Sequence, residues 1–269
     1  MNDLNEQNER PLRNPALEEL RANKPALVAT IRDARSGAIA RQLKAAGYDI
    51  LVVDLEHTAL PEDAAGELCA TALDIGVTPL VRVAEHAFGP MSRALSYGAL
   101  GIVVPHVETA ADARAITLAA RFAPHGKRSV PPLFPHFAYR RIGQAEAIAQ
   151  LTAVTMTVAL IESPAGVANA DAIAAVDGVD VLFLGTSDLA AALGAPGVKD
   201  EPRVREAIDR IVAACRKHGK IPGIGGIVDD ADFAHALARG MLYLSVGSDT
   251  TFLLQGATQR AAAIKALIR

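Results

Sequence analysis

Three side chains that can carry or transfer protons stand within four residues of one another in the sequence V-V-D-L-E-H, residues 52–57. They are Asp54, Glu56 and His57, and they directly follow an apolar run at 50–53. Histidine exchanges protons near neutral pH, and a carboxylate three residues earlier can orient its ring. We predict that His57 and Asp54 form an acid/base pair, with Glu56 as a neighbour that holds water.

Charged groups also follow other apolar runs along the chain. Arg82 ends P-L-V-R, Glu162 ends V-A-L-I-E, and Asp188 lies in L-G-T-S-D. A charge at the end of an apolar strand is poorly hydrated unless a pocket opens there. Any one of these residues could be a helix cap or a member of an ion pair. Because five successive strands end in such groups, while the opposite strand ends are plain, we predict a shared site.

The types of these residues indicate metal-assisted chemistry. Glu162 and Asp188 offer two carboxylates to one hard divalent cation and leave positions open for water and an oxygen-rich substrate. A site with only two protein ligands favours Mg²⁺, Mn²⁺ or Co²⁺ and argues against structural zinc. Arg82 supplies a fixed positive charge for an enolate oxygen. The backbone N–H groups of Ser187 and Asp188, at a predicted helix start, can bind a carboxylate.

His106 ends the fourth apolar run, in I-V-V-P-H. We predict that it contacts the substrate, and a hydrogen-bonded core histidine is the alternative. With the groups above, this gives a site that can form and use a metal-bound enolate.

The elements that must position these groups alternate along the chain. Strands are predicted at 26–31, 48–55, 78–83, 101–104, 155–161, 179–184, 221–224 and 241–246. They are continuous apolar runs, which is typical of parallel strands covered on both faces. About eight strand–helix units without a break in composition predict a (β/α)8 TIM barrel, in which catalytic groups come from the carboxyl ends of the strands. A doubly wound open sheet is the alternative.

Helices are predicted between the strands, at 36–46, 61–74, 90–97, 109–121, 164–175, 187–193, 202–218, 229–239 and 249–268. We expect a polar N-terminal tail at 1–23 and a single barrel domain at 24–269. The Pro-rich stretch at 122–139 is a candidate active-site loop or subunit contact. In it, His125, Lys127 and Arg128 could meet a distal carboxylate or simply be solvated.

Composition excludes several classes of function. The net charge is −3, and no basic stripe or aromatic cluster indicates a nucleic-acid partner. No apolar run reaches the roughly 20 residues of a membrane span, and the N-terminus has no apolar signal segment. The two cysteines form no C-x-x-C pair. We therefore expect a cytoplasmic enzyme with reduced thiols.

The sequence resembles the HpcH/HpaI family of metal-dependent pyruvate aldolases. The matching motifs occur in family order over nearly all of residues 24–269: D-L-E-H (54–57), T-P-L-V-R-V (78–83), G-A-L-G-I-V-V-P-H (98–106), I-E-S (161–163), L-G-T-S-D-L (184–189) and V-G-S-D (246–249). The resemblance implies a barrel that cleaves 4-hydroxy-2-oxo acids reversibly to pyruvate, or a related 2-oxo acid, and an aldehyde. It also implies a homo-oligomer, commonly a hexamer built as a trimer of dimers, in which neighbouring subunits exchange the last helix.

Carried over to this sequence, the resemblance implies that Glu162 and Asp188 hold the metal and that His57 with Asp54 moves the proton. Arg82 then contacts the pyruvate oxygens, and the backbone around Gly185, Ser187 and Asp188 binds the pyruvate carboxylate. Two departures stand out: Leu160 replaces a common Gln, and G-T-S-D-L replaces G-P-A-D-L.

Two alternatives stay open. P-H at 105–106 is similar to macrophomate synthase, so the same site could decarboxylate oxaloacetate or another 2-oxo diacid. A non-catalytic barrel that binds a 2-oxo acid as a sensor is the other alternative.

Overall fold

Each strand of the sheet lies parallel to the next, and the last returns to pair with the first. The protein is described by a computed structural model that covers residues 11–198 and 201–268. Within these residues eight strands close the barrel in chain order: β1 Ala26–Ile31, β2 Ile50–Asp54, β3 Thr78–Arg82, β4 Gly101–Val104, β5 Met156–Ile161, β6 Val181–Gly185, β7 Ile221–Gly225 and β8 Tyr243–Ser248. The predicted (β/α)8 barrel is confirmed, and the open-sheet alternative is wrong.

The helices surround the barrel and follow the predictions closely. Their bounds are α1 Pro15–Arg21, α2 Ala38–Ala45, α3 Glu62–Asp74, α4 Phe88–Ser96, α5 Ala110–Ala120, α6 Gln144–Val154, α7 Pro164–Ala168, α8 Ala170–Ala174, α9 Thr186–Ala192, α10 Pro202–His218, α11 Asp230–Arg239 and α12 Asp249–Ile268. Two of them, α1 and α6, were not predicted. The predicted helix at 164–175 is divided into α7 and α8, which meet at Asn169.

The apolar strands separate two packed layers. One face of each strand packs inside the barrel, where Ile50, Leu80, Val158 and Tyr243 belong to a buried cluster. The other face packs against the surrounding helices. Burial on both faces explains why the strands read as continuous apolar runs without polar alternation.

Helix α1 closes the end of the barrel where the strands begin, which corrects the predicted tail boundary at residue 23. Asn14 caps the helix by accepting the N–H of Leu17 at 3.1 Å, and its side-chain amide donates to the carbonyl of Val154 at 2.8 Å. Leu17 and Leu20 are buried in the same cluster as the barrel interior. Their spacing places both on one face of a short helix. Residues 1–10 of the predicted tail lie outside the described residues.

The segment at 122–139 also lies at the end where the strands begin, so it is not an active-site loop within its own barrel. The imidazole Nε2 of His136 lies 3.0 Å from the carbonyl oxygen of Ala99, just before β4. Arg128 is buried, donates to the carbonyl of Leu95 at 2.6 Å and lies 4.4 Å above the ring of Phe122. Arg128 is therefore neither solvated nor near the strand ends that carry the predicted site.

Helix α12 contrasts with the other long helices because none of its residues is buried. Leu253, Leu254, Leu267 and Ile268 are all exposed. Across residues 11–198 and 201–268, no helix combines the length and apolar character needed to cross a membrane. Both cysteines are buried and unpaired.

Candidate active site

A cavity opens at the ends of the strands opposite α1, and it collects most of the predicted site. Its lining includes six of the predicted residues: His57, Arg82, Glu162, Gly185, Ser187 and Asp188. They come from the ends of β2, β3, β5 and β6, where the barrel fold places catalytic groups. Asp54 lies beneath them with no exposed surface.

Arg82 and Asp54 are paired across two neighbouring strands. They are partners in the register of β2 and β3. Nε of Arg82 donates to Oδ1 of Asp54 at 2.9 Å, and Nη2 donates to Oδ2 in a second hydrogen bond. Burial raises the pKa of the Asp54 carboxyl, but the hydrogen bonds and charge of Arg82 outweigh it and lower the pKa overall. The carboxylate is therefore held ionised, and the guanidinium is fixed in direction.

This pairing corrects the predicted contact between Asp54 and the His57 ring. Oδ1 of Asp54 accepts the backbone N–H groups of Glu56 at 3.1 Å and of His57 at 3.3 Å, a turn typical of aspartate. Among the described residues, no hydrogen bond joins the ring of His57 to Asp54. The ring instead lies beside Glu56, with Nε2 3.6 Å from Oε2 of that carboxylate.

Glu56 lies near more residues of the site than the sequence suggested. Its Oε2 lies 3.1 Å from Nη1 of Arg82, and its Oε1 lies 3.5 Å from Nε2 of His106. The carboxylate is mostly buried. Glu56 therefore lies between the arginine and two histidines, and its Oε2 is near the ring of His57, the predicted proton carrier.

Glu162 is held by His106. Its Oε1 accepts the backbone N–H of His106 at 2.8 Å and lies 2.7 Å from Nδ1 of the same residue. Burial raises the pKa of Glu162, and the charges of Asp188 and Glu56 raise it further against the opposing effect of His106. The ring of His106 is two-thirds exposed, so the alternative of a core histidine is wrong.

Glycines bring backbone close to the carboxylates. A side-chain carbon on Gly185 would lie 3.2 Å from Oε2 of Glu162. Gly226 has φ +82°, and a side-chain carbon there would lie 2.9 Å from the backbone nitrogen of Ser187. Both positions therefore require glycine, because a side chain there would press against residues that line the cavity.

The residues present fit a divalent cation held by two carboxylates. Among the described residues no group of three or more His, Cys, Asp and Glu has a metal-binding arrangement. Glu162 and Asp188 are nevertheless close enough for the charge of one to raise the pKa of the other. A cation between them would offset this repulsion, and oxygen ligands suit a hard ion.

Several residues of the cavity were not predicted, above all Arg32. It follows β1, and its Nε lies 3.3 Å from Oδ2 of Asp54. The signal was present in A-T-I-R-D, where a charge ends an apolar strand as at the other sites. Thr30, Tyr243 and Ser245 also line the cavity, but a hydroxyl inside an apolar run gives no comparable signal.

A (β/α)8 barrel with this cavity belongs to a recognisable class of carbon–carbon lyase. The chain is a member of the HpcH/HpaI aldolase/citrate lyase family, whose sequence model matches residues 33–256. It is an aldolase. It is 35% identical to a 4-hydroxy-4-methyl-2-oxoglutarate aldolase of Hapsidospora irregularis over 243 residues, which cover 88% of this chain and 89% of the relative.

Solved structures agree with this assignment. An HpcH/HpaI aldolase from Desulfitobacterium hafniense superimposes with a TM-score of 0.87 at 28% identity, over 92% of this chain and 95% of that one. Macrophomate synthase superimposes with a TM-score of 0.79 at 25% identity, over 95% of this chain and 91% of that one.

Proposed function

We propose that the protein is a divalent-metal-dependent aldolase that reversibly cleaves 4-hydroxy-2-oxo acids to pyruvate, or a related 2-oxo acid, and an aldehyde. The observation that carries this proposal is the convergence of Arg82, His57 and the Glu162–Asp188 pair on one cavity. The similarity to a 2-oxoglutarate-type aldolase over most of both chains supports the same reaction class.

Arg82 and the β6–α9 turn would bind the 2-oxo acid. The guanidinium is fixed by Asp54 on one side and by Glu56 on the other, so it offers its charge to the substrate oxygens without reorganising. The backbone N–H groups of Ser187 and Asp188, next to Gly185, would receive the carboxylate. A divalent cation at Glu162 and Asp188, which we propose to be Mg²⁺, Mn²⁺ or Co²⁺, would act as a Lewis acid on the bound 2-oxo acid.

His57 would move the proton. In the cleavage direction its imidazole accepts the proton of the 4-hydroxyl, and the electrons of that O–H bond form the carbonyl of the departing aldehyde. The C3–C4 bond breaks, and its electron pair becomes the enolate of the 2-oxo acid, whose oxygen lies against Arg82. Return of a proton to C3 yields the free acid and completes the balance. Glu56 lies beside the ring, with its Oε2 3.6 Å from Nε2 of His57.

The test combines metal removal with a trap for imines. Dialysis against EDTA should abolish turnover, and Mg²⁺, Mn²⁺ or Co²⁺ should restore it. Borohydride with pyruvate should leave activity intact, because none of the seven lysines in the sequence follows an inner strand end. Inactivation by borohydride only when pyruvate is present would replace this proposal with a Schiff-base mechanism.

The decarboxylation of oxaloacetate is the alternative that uses the same site, and one variant separates the two reactions. Decarboxylation needs no base at a 4-hydroxyl, so His57→Ala should lose aldol turnover steeply and keep decarboxylation. A variant that loses both reactions equally would show that His57 has another role. A panel of aldehydes with pyruvate and hydroxypyruvate would then define both substrates.

We also propose that the protein is a homo-oligomer, a hexamer in the form that the family resemblance implies, and that α12 packs on a neighbouring subunit. The exposed leucines of α12 support this, because so much apolar surface on one helix is unusual in a monomer. Sedimentation of Leu254→Glu should give a smaller species than the unmodified protein. Arg260→Glu, at a polar position of the same helix, serves as the control.

A further inference from the structure

We infer that Arg32 is a specificity-determining residue that binds a second carboxylate at the far end of the substrate. The inference rests on the proposed function for the reacting end of the molecule. It adds a residue that would select substrates by the charge of the part that leaves as the aldehyde.

The guanidinium of Arg32 is only partly used inside the protein. Its Nε lies 3.3 Å from Oδ2 of Asp54, and its side chain is 43% exposed at the cavity. Among the described residues, no hydrogen bond involves either Nη atom. Asp54 already accepts two hydrogen bonds from Arg82. Arg32 therefore presents a planar pair of donors to the cavity, the geometry that binds a carboxylate with two hydrogen bonds.

The backbone that carries Arg32 is anchored. The carboxylate of Asp249 accepts three consecutive backbone N–H groups, from Arg32 at 2.9 Å, Asp33 at 3.1 Å and Ala34 at 2.8 Å. An arginine on a free loop would lose much of its binding energy to ordering the loop. This anchoring fixes the backbone from which the Arg32 side chain extends. The guanidinium can therefore bind a carboxylate in a defined geometry as well as attract it by charge.

The order of strands around the barrel places Arg32 at the correct end of the substrate. Arg32 follows β1 and His57 follows β2, which are neighbours, whereas Gly185 and Asp188 lie across the barrel at β6. A substrate with its first carboxylate at β6 and its 2-oxo oxygen at Arg82 directs C4 toward His57. A carboxylate attached to C4 then lies on the β1 side, where Arg32 is the available cation.

Binding can be measured without any turnover, using two acids that lack the 4-hydroxyl and cannot be cleaved. 2-Oxoglutarate carries the second carboxylate, and 2-oxopentanoate has the same carbon chain without it. In calorimetry with Mn²⁺ present, the unmodified protein should prefer 2-oxoglutarate by roughly tenfold to a hundredfold. Arg32→Met should lose that preference. Arg35→Met is the matched control, because Arg35 is exposed on the same loop and outside the cavity lining.

Kinetics on cleavable substrates then separate this inference from the proposed function. Arg32→Met should lose at least about tenfold more in kcat/KM on 4-hydroxy-2-oxoglutarate than on 4-hydroxy-2-oxopentanoate, with the difference mostly in KM, and Arg32→Lys should restore part of it. Equal losses on both substrates would mean that Arg32 acts through Asp54 and Arg82, and would overturn the inference. If the unmodified protein binds 2-oxoglutarate through Arg32 but cleaves neither aldol, the proposed function fails and the diacid site stands.

Discussion

Asp54 and Arg82 stand opposite each other in the register of β2 and β3, and their side chains form two hydrogen bonds beneath the cavity. The pairing is a property of the sheet, because a shift of either strand by one residue would turn one of the two side chains to the other face. The arginine that the substrate meets is thus positioned by the closure of the barrel itself.

The first prediction is that Asp54 contributes to turnover by positioning Arg82 and not by orienting His57. Arg82→Lys should lower kcat by about a hundredfold, since lysine cannot keep both hydrogen bonds or the direction of the charge. Asp54→Asn should have a similar effect. Combined with Arg82→Lys, it should cause little further loss, whereas combined with His57→Ala the two losses should multiply.

A double-mutant cycle with each partner measures this directly. The opposite result, in which Asp54→Asn couples strongly to His57→Ala and adds independently to Arg82→Lys, would restore the acid/base pair predicted from the sequence. Circular dichroism of each variant is needed beside the kinetics, because Asp54 has no exposed surface and its loss can also weaken the fold.

Glu56 should be as important for turnover as the histidine it adjoins. Its carboxylate contacts Arg82 and lies near the imidazoles of His57 and His106. Glu56→Gln keeps the shape but removes the negative charge beside Arg82 and the two imidazoles, so kcat should fall by roughly 10² or more. Glu85→Gln, an exposed position in the loop after β3, should leave kcat unchanged. Normal turnover in Glu56→Gln would reduce Glu56 to the water-holding role suggested by its sequence position.

Metal affinity should depend on both proposed carboxylate ligands and on pH. Glu162→Gln and Asp188→Asn should each weaken Mn²⁺ binding by at least about tenfold. Because the pKa of Glu162 is raised, protons compete with the cation at a higher pH than for an ordinary glutamate, so affinity should fall as the solution is acidified. Titration calorimetry at several pH values measures both effects. Unchanged Mn²⁺ affinity in the two variants would move the metal site elsewhere.

The sequence predicted which residues reach the site better than it predicted their contacts. All eight strands were located, because continuous apolar runs ending in charge are a strong pattern in a parallel barrel. The spacing placed Asp54 beside His57, whereas the side-chain hydrogen bonds of Asp54 come from Arg82 through the register of β2 and β3, which spacing does not reveal. Glu56 was undervalued for the same reason. Helix α1 was missed because seven residues give too little periodicity, and its burial comes entirely from tertiary packing.

Stability should depend on pH through His136. Burial lowers the pKa of its imidazole to about 4, below the usual value near 6.5. Between these values the unfolded chain binds a proton that the folded protein does not. Unfolding free energy should therefore fall as the pH drops through this window, by roughly 3 kcal/mol in all, and be constant above it.

Urea unfolding at pH 7.0 and pH 4.5 tests this assignment. His136→Gln keeps a donor for the carbonyl of Ala99 but cannot be protonated, so it should narrow the difference between the two pH values. His125→Gln, at an exposed position in the same segment, is the control and should not. An equal pH effect in the His136 variant would place the responsible group elsewhere.

Helix α1 has a kinetic consequence. Because Leu17 and Leu20 fill the end of the barrel where the strands begin, the described residues leave ligands the rim where the strands end as their route in and out. Release of the two fragments through this rim should be ordered, because Arg82 and the proposed cation would hold the 2-oxo acid. The carbonyl fragment departs first and the 2-oxo acid last, so the 2-oxo acid should be a competitive product inhibitor and the carbonyl fragment a noncompetitive one. Helix α1, which closes one end of the barrel, thus affects the order in which the products leave at the other end.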